Sequence, residues 1–217
     1  MAKTLATGSQ FAIASAYGTA KVFSSITNAA EAVASFAADP SLAAGDIVEV
    51  TSGWGRLDKR VVRVKTVTGT GPYLVTLEGV NTTDTNLYPA GSGAGSVREI
   101  TSWQAITQIA DVNPSGGEQN YADASDLDDS DDKQIPSNRS AEALQLTVHH
   151  DPSLAWVAVV DAAVGVATGL RIVYPSGARL LANAFWTRRT TPQITRNETL
   201  KSSLDLTYAA RPIEYTT

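Results

Sequence analysis

The chain has 217 residues, of which 43% are hydrophobic and 18% are charged, and this composition supports a folded core in one domain or two small ones. It contains no cysteine, which excludes disulfides, thiolate metal sites and a cysteine nucleophile. Its net charge of −5 argues against a protein that wraps nucleic acid electrostatically.

The first hundred residues predict short strands and one weak helix. Residues 11–15 and 21–23 favour a pair of strands, whereas the alanine-rich residues 27–38 favour a helix. After Gly45, short β runs alternate with turns rich in glycine, at intervals of about 8 to 12 residues. The runs are residues 46–50, 60–67, 73–77 and 96–100. This spacing predicts a small antiparallel β-barrel.

The middle of the chain is less regular. Residues 103–112 carry apolar side chains at positions 103, 106 and 109, which fits either a helical turn or a strand. Residues 121–139 then contain almost no aliphatic side chains, and six aspartates lie between positions 123 and 132. We predict a long solvated loop here, and long loops in compact domains are usually functional or disordered.

The last eighty residues give the clearest pattern. Residues 144–149 alternate apolar and polar side chains, which predicts a half-buried strand. A helix of about three turns is predicted to start at Asp151-Pro152, with Asp151 as the N-cap, and to end before Gly165. A hairpin and a final strand over 200–208 follow, so the prediction is an antiparallel α+β unit with one flanking helix.

Candidate catalytic groups are few. His149 and His150 are adjacent on a predicted strand and therefore point to opposite faces, so one metal cannot bind both without distortion. A calcium loop of the EF-hand type starting at Asp126 would need glycine and glutamate where Asp131 and Ser137 stand. We therefore expect no enzyme activity, cofactor or metal. The longest apolar run, residues 154–166, is too short to span a bilayer, and we expect neither a signal peptide nor a membrane partner.

The order of these features resembles the major tail tube protein of long-tailed, lambda-like siphophages. The resemblance covers residues 121–216 and rests on Tyr121-Ala-Asp-Ala-Ser-Asp-Leu-Asp-Asp, the polar segment to Arg139 and the strand that follows. It continues through the helix after Pro152 and the hairpin over residues 170–186. It closes with Thr199-Leu-Lys-Ser-Ser-Leu-Asp-Leu-Thr-Tyr-Ala-Ala-Arg-Pro.

The resemblance implies a β-sandwich whose subunits form hexameric rings, which stack into a tube that guides DNA into the host. It implies a split core domain, residues 1–29 and 98–217, with a small β-barrel inserted over residues 30–97, a segment that departs from the family pattern. The expected partners are other copies of the chain and the terminator, tape measure and baseplate proteins, and DNA passes without specific binding. The expected location is the virion tail, assembled in the host cytoplasm.

We expect the acidic segment to contact the adjacent ring. Its residues are Tyr121, Asp123, Asp126, Asp128, Asp129, Asp131, Asp132, Lys133 and Arg139, and the possible basic partners on a neighbour are Arg188, Arg189 and Arg196. The alternatives are a tail terminator, head–tail connector or baseplate hub protein of the same fold. A receptor- or carbohydrate-binding module that uses Trp54 and Tyr73 is a further alternative from another class.

Overall fold

A computed structural model describes residues 7–128 and 130–216 and confirms a mainly β fold with one helix. The helix, α1, spans Ala155–Ala163. The strands of the described residues are β1 (Gln10–Tyr17), β2 (Lys21–Phe23), β3 (Ser25–Ile26), β4 (Val33–Phe36), β5 (Ile47–Ser52), β6 (Val61–Thr68), β7 (Tyr73–Leu77), β8 (Gly95–Ile106), β9 (Ile109–Ser115), β10 (Gln119–Asp123), β11 (Gln134–Arg139), β12 (Ala143–His149), β13 (Ala167–Val173), β14 (Arg179–Arg188), β15 (Lys201–Tyr208) and β16 (Ile213–Tyr215).

Fourteen strands form one large antiparallel sheet, which is not closed. Its order is β3-β4-β7-β6-β5-β8-β1-β13-β14-β15-β12-β9, with β2 paired to β8 and β16 paired to β14. The long strand β8 connects the two halves, because its residues 95–99 pair with β5 and its residues 100–106 pair with β1. The ambiguous segment 103–112 is therefore strand, divided between β8 and β9.

The C-terminal half encloses the larger hydrophobic core between α1 and strands of the large sheet. Apolar side chains from β1, β12, β13, β14 and β15 meet there, including the fully buried Trp186. The inward face of α1 consists of Trp156, Val157, Val160 and Ala163. The predicted strands and hairpin of this half are confirmed.

Helix α1 starts later than the sequence predicts. Its N-cap residue is Leu154, which makes no side-chain capping bond, so the predicted cap at Asp151 is wrong. Asp151 instead accepts hydrogen bonds at Oδ1 from the Ser153 backbone N (3.0 Å) and Oγ (2.6 Å), and these bonds hold the pKa of this carboxyl below its usual value. Gly165 follows the helix with φ +80°, a left-handed conformation that glycine adopts without strain.

The N-terminal half has a second core, formed by side chains between Phe23 and Val97. The helix predicted over residues 27–38 is wrong, because this segment contains strand β4 and no helix. Ala32, Ala34 and Phe36 point into the core at every second position, and β4 pairs with β7. Tertiary strand pairing thus outweighs the local helix preference of alanine.

The short strand β16, which the sequence analysis did not find, ties the two halves together through Tyr215. The Tyr215 hydroxyl donates to the Glu78 carbonyl O (3.1 Å) and accepts from the Arg63 backbone N (2.9 Å). The Arg63 guanidinium also lies 4.6 Å from the centre of the Tyr215 ring. Burial raises the pKa of this tyrosine, which keeps it protonated as a donor.

The division into a core domain and an inserted module over residues 30–97 stays a prediction. The second core includes Phe23 and Ile26, which precede that segment in the chain. The segment 21–26 pairs with β8 through β2 and with β4 through β3. A deletion that tests the division should therefore take the contribution of residues 21–26 into account.

Candidate assembly surface

The acidic segment is a β-hairpin rather than the long irregular loop that its composition predicts. Strands β10 and β11 pair with each other in a separate two-stranded sheet, with Ala122 opposite Ile135 and Asp123 opposite Gln134. Every residue of β11 is exposed, as are residues 120–123 of β10. Sequence periodicity could not reveal these strands, because neither face of the hairpin is buried and no apolar alternation is required.

Glycines and hydrogen bonds fix the base of the hairpin. Gly116 has φ +74°, and a Cβ there would lie 2.0 Å from the Ala141 carbonyl O, so only glycine fits. Arg139 donates from Nε (3.0 Å) and Nη2 (2.7 Å) to the Gly117 carbonyl O. The Ser140 backbone N donates to the Glu118 carbonyl O (2.9 Å). These contacts hold the base of the hairpin together, and the hairpin forms a sheet separate from the large one.

The tip of the hairpin is ordered by local bonds. Asp123 Oδ1 accepts from the Ser125 backbone N (2.9 Å), and hydrogen bonding by Ser125 lowers the pKa of Asp123. The Ala124 N donates to the Lys133 carbonyl O (2.9 Å). Beyond this turn, Leu127 is fully exposed between two aspartates. Asp129 lies outside the described residues. We call Asp126, Leu127, Asp128, Asp131 and Asp132 the acidic tip.

Two of the three arginines expected to receive the acidic tip already hold carboxylates of their own chain. Arg188 donates from Nε and Nη2 to the two carboxylate oxygens of Asp161, each at 2.8 Å. Arg189 Nε lies 3.6 Å from Asp205 Oδ2. Arg196 is exposed and forms no ion pair within the described residues. A contact through Arg188 or Arg189 would therefore have to compete with an existing pair, and their role at an interface stays a prediction.

Two adjoining concavities lie beside the base of the hairpin, with volumes of about 510 and 500 Å³. Arg56 and Arg211 line both, and Arg60 lines the second. We call this surface the arginine concavity. Sequence reasoning missed it because its arginines come from distant parts of the chain.

The two histidines and Trp54 form hydrogen bonds within the chain. His149 Nδ1 lies 3.1 Å from Thr199 Oγ1 and His150 Nδ1 lies 2.8 Å from Ser202 Oγ, and the described residues contain no cluster of metal-binding side chains. Trp54 is 2% exposed, and its Nε1 donates to the Pro89 carbonyl O (2.8 Å). Since Trp54 is buried, it cannot serve as an exposed platform for a sugar.

The family of phage tail tube proteins (TTP) matches residues 52–217, about three quarters of the chain. This chain belongs to that family. The acidic hairpin, most of the core under α1 and just over half of the second core therefore lie within the matched part of a tail tube protein. The match also includes residues 52–97, part of the segment that we expected to depart from the family pattern. No curated protein matches the chain.

Membership of the tail tube family establishes a structural role as a component of the phage tail. No helix among the described residues is long and apolar enough to span a membrane. The exposed hairpin and the arginine concavity are features of this tail tube protein that the packing of its cores does not explain.

A half-buried tyrosine that lines the arginine concavity, Tyr208, predicts a loss of stability in alkali. Burial, with contributions from Tyr174 and Glu142, raises the pKa of Tyr208 from 10.0 to about 12. The unfolded chain loses this proton at lower pH than the folded chain, so the free energy of unfolding should fall as the pH rises from 10 to 12. Urea unfolding at a series of pH values should show that the free energy of unfolding falls less in Tyr208→Phe than in the wild type. The same fall between pH 10 and 12 in both proteins would contradict the assignment.

Proposed function

We propose that this tail tube protein forms six-membered rings that stack into a tube, and that the tube conducts DNA into the host. The observation that carries the proposal is the exposed β10–β11 hairpin. It is fixed at its base, projects from the large sheet and contributes none of its described residues to the three hydrophobic cores. A projecting element of this kind is suited to contact a neighbouring subunit, and here we assign it to the adjacent ring.

Open sheet edges support ring formation. The path of the large sheet ends at β3 and β9, and β9 is half-buried at Ile109 and Val112 and exposed elsewhere. An edge strand presents unpaired backbone donors and acceptors that a second chain can satisfy. In a ring with closed cyclic symmetry, every copy has a neighbour on each side. The edge strands of each sheet can then pair with the neighbouring copies.

The charge of the chain agrees with a conduit. A net charge of −5 repels the phosphate backbone, so DNA can slide through the tube without specific binding. The other proposed partners are the terminator, tape measure and baseplate proteins, which would meet the tube at its ends or within its bore. Assembly in the host cytoplasm before release of the virion belongs to the same proposal.

Mass photometry and negative-stain electron microscopy of the purified protein test this proposal. At high protein concentration we expect six-membered rings and tubes of uniform bore, without added nucleotide or metal. Single rings that never stack would favour the tail terminator instead. Monomers alone at every concentration would contradict both assignments.

A further inference from the structure

The arginine concavity contains three guanidinium groups without a carboxylate partner in the described part of the chain. Arg56, Arg60 and Arg211 form no ion pair there, whereas Arg63 and Arg98 bind Glu78 and Glu49. Arginine is seldom buried without an anion, because its guanidinium carries a permanent charge and five donors. Three guanidinium groups on one concave surface, with Arg60 half-buried and Arg56 and Arg211 exposed, indicate a site for an acidic ligand.

Arg60 is the deepest of the three. Its Nε is buried and has no hydrogen-bond partner. Burial lowers the pKa of Arg60, and the neighbouring charge of Arg211 acts in the same direction. A carboxylate placed between these two arginines would offset the burial of the Arg60 charge and the repulsion by Arg211.

The lining of the second concavity is apolar as well as cationic. Tyr88, Ala210, Pro212 and Ile213 supply an apolar surface next to the three arginines. Tyr88 is only 8% exposed and is held against the Trp54 ring at a centroid distance of 5.3 Å. A ligand that matches this site would carry one apolar side chain flanked by several carboxylates.

The acidic tip has this composition. Leu127 is fully exposed, with Asp126 and Asp128 on either side of it and Asp131 and Asp132 next along the chain. An exposed leucine at the end of a hairpin gains no stabilisation from burial in the isolated subunit, and it gains such stabilisation only against a partner. The tip is therefore the chemical complement of the concavity.

The tip cannot occupy the concavity of its own chain. Gln119 and Arg139, at the base of the hairpin, line the first concavity themselves. The four residue steps from Gln119 to Asp123 span roughly 13 Å of extended strand, and the tip lies beyond them. The occupant that the geometry allows is the tip of another copy.

We propose that the acidic tip of one copy docks in the arginine concavity of a copy in the next ring, with Leu127 on the apolar lining and the aspartates on Arg56, Arg60 and Arg211. This inference rests on the proposed stacking of rings and names the surface that receives the hairpin. The acidic tip and the arginine concavity are different surfaces of the same chain. The contact is therefore head-to-tail and repeats without limit along a tube.

Charge reversal tests the pairing. Arg56→Glu with Arg211→Glu changes two exposed residues, so rings should form as in the wild type, while the protein concentration needed for tubes should rise at least about tenfold. Asp128→Arg with Asp131→Arg should have the same effect. All four changes in one chain should restore stacking, because the charges are exchanged rather than removed. Arg179→Glu with Lys65→Glu, which reverses two exposed cations outside the concavity, is the matched control and should stack normally.

Disulfide trapping tests the position directly, since the chain has no cysteine of its own. Leu127→Cys with Ala210→Cys should give a ladder of covalent oligomers on non-reducing gels of assembled tubes. Leu127→Cys with Thr190→Cys, which places the second thiol beside Arg188 and Arg189, should give no ladder. The reverse pattern would assign the tip to those arginines and overturn the inference.

The remaining outcomes separate this inference from the proposed function. Failure of the wild type to form rings or tubes would contradict the proposed function itself. Wild-type tubes together with unimpaired stacking of the Arg56→Glu, Arg211→Glu variant would overturn only the docking surface. If that variant instead loses binding to duplex DNA in fluorescence anisotropy while its tubes form normally, the concavity binds phosphate and the docking inference is wrong.

Discussion

Replacing Asp128, Asp129, Asp131 and Asp132 together by asparagine should abolish stacking into tubes and leave the melting temperature of the subunit almost unchanged. The described aspartates of this set are exposed at the end of a hairpin that belongs to no core, so their loss removes no packing. Asparagine keeps the size of each side chain but removes four negative charges, and charge-assisted bonds to arginine are roughly twice as strong as neutral ones. Electron microscopy should show rings, and differential scanning calorimetry should give the wild-type transition.

Salt and single substitutions provide the controls for this result. Each single Asp→Asn change should have a small effect, because the remaining carboxylates can substitute for the missing one. Raised salt should weaken stacking of the wild type in the same direction as the fourfold change, because charges are screened over about 10 Å at 0.1 M ionic strength. Normal tubes from the fourfold variant would show that these carboxylates do not carry the contact.

Trp186→Ala should destabilise the subunit by about 3 to 5 kcal/mol, which is the usual cost of truncating a buried tryptophan. Trp186 is 0% exposed in the larger core, and its Nε1 donates to the Thr168 carbonyl O at 3.1 Å. The change leaves a cavity and removes the hydrogen bond to the Thr168 carbonyl O, and both add to the cost. Urea unfolding followed by circular dichroism measures the free energy directly.

The neighbouring residue of the same strand is the matched control. Phe185 points to the opposite face of β14, is 39% exposed and lies under Lys59 with Nζ 5.8 Å from the ring centre. Phe185→Ala removes a large aromatic side chain with little loss of burial, so it should cost about 1 kcal/mol or less. An equal decrease in the free energy of unfolding in the two variants would mean that the core is not centred on Trp186.

Several elements could be predicted from sequence because their local pattern and their tertiary environment agree. The strands after residue 45 are short runs rich in β-branched residues between glycine turns, and most of their apolar side chains are buried in the fold. The C-terminal hairpin and strand follow the same rule. Helix α1 was found from its apolar face and from Gly165, although its start was placed too early because Asp151 forms a turn with Ser153 instead of a cap.

Other elements depended on contacts that a local pattern does not contain. The alanine-rich segment around Ala34 is strand because β7 offers a partner and the second core requires small inward side chains there. Strand β16 exists because the Tyr215 hydroxyl finds the backbone of Arg63 and Glu78, more than a hundred residues away in sequence. The hairpin β10–β11 is paired through its backbone alone, without a buried face.

By itself, the sequence determined the mainly β class, helix α1, the tail tube resemblance and an exposed acidic segment that calls for a partner. The class, the helix and the acidic segment follow from composition and periodicity, which are local properties, whereas the resemblance rests on particular motifs and their order. Only the tertiary structure decided which arginines are already paired and which remain available in the arginine concavity. Arg188 is held by Asp161, whereas Arg56 and Arg211 meet on one surface from positions 155 residues apart. Charge pairing depends on distance in space, and no local pattern in the chain encodes that distance.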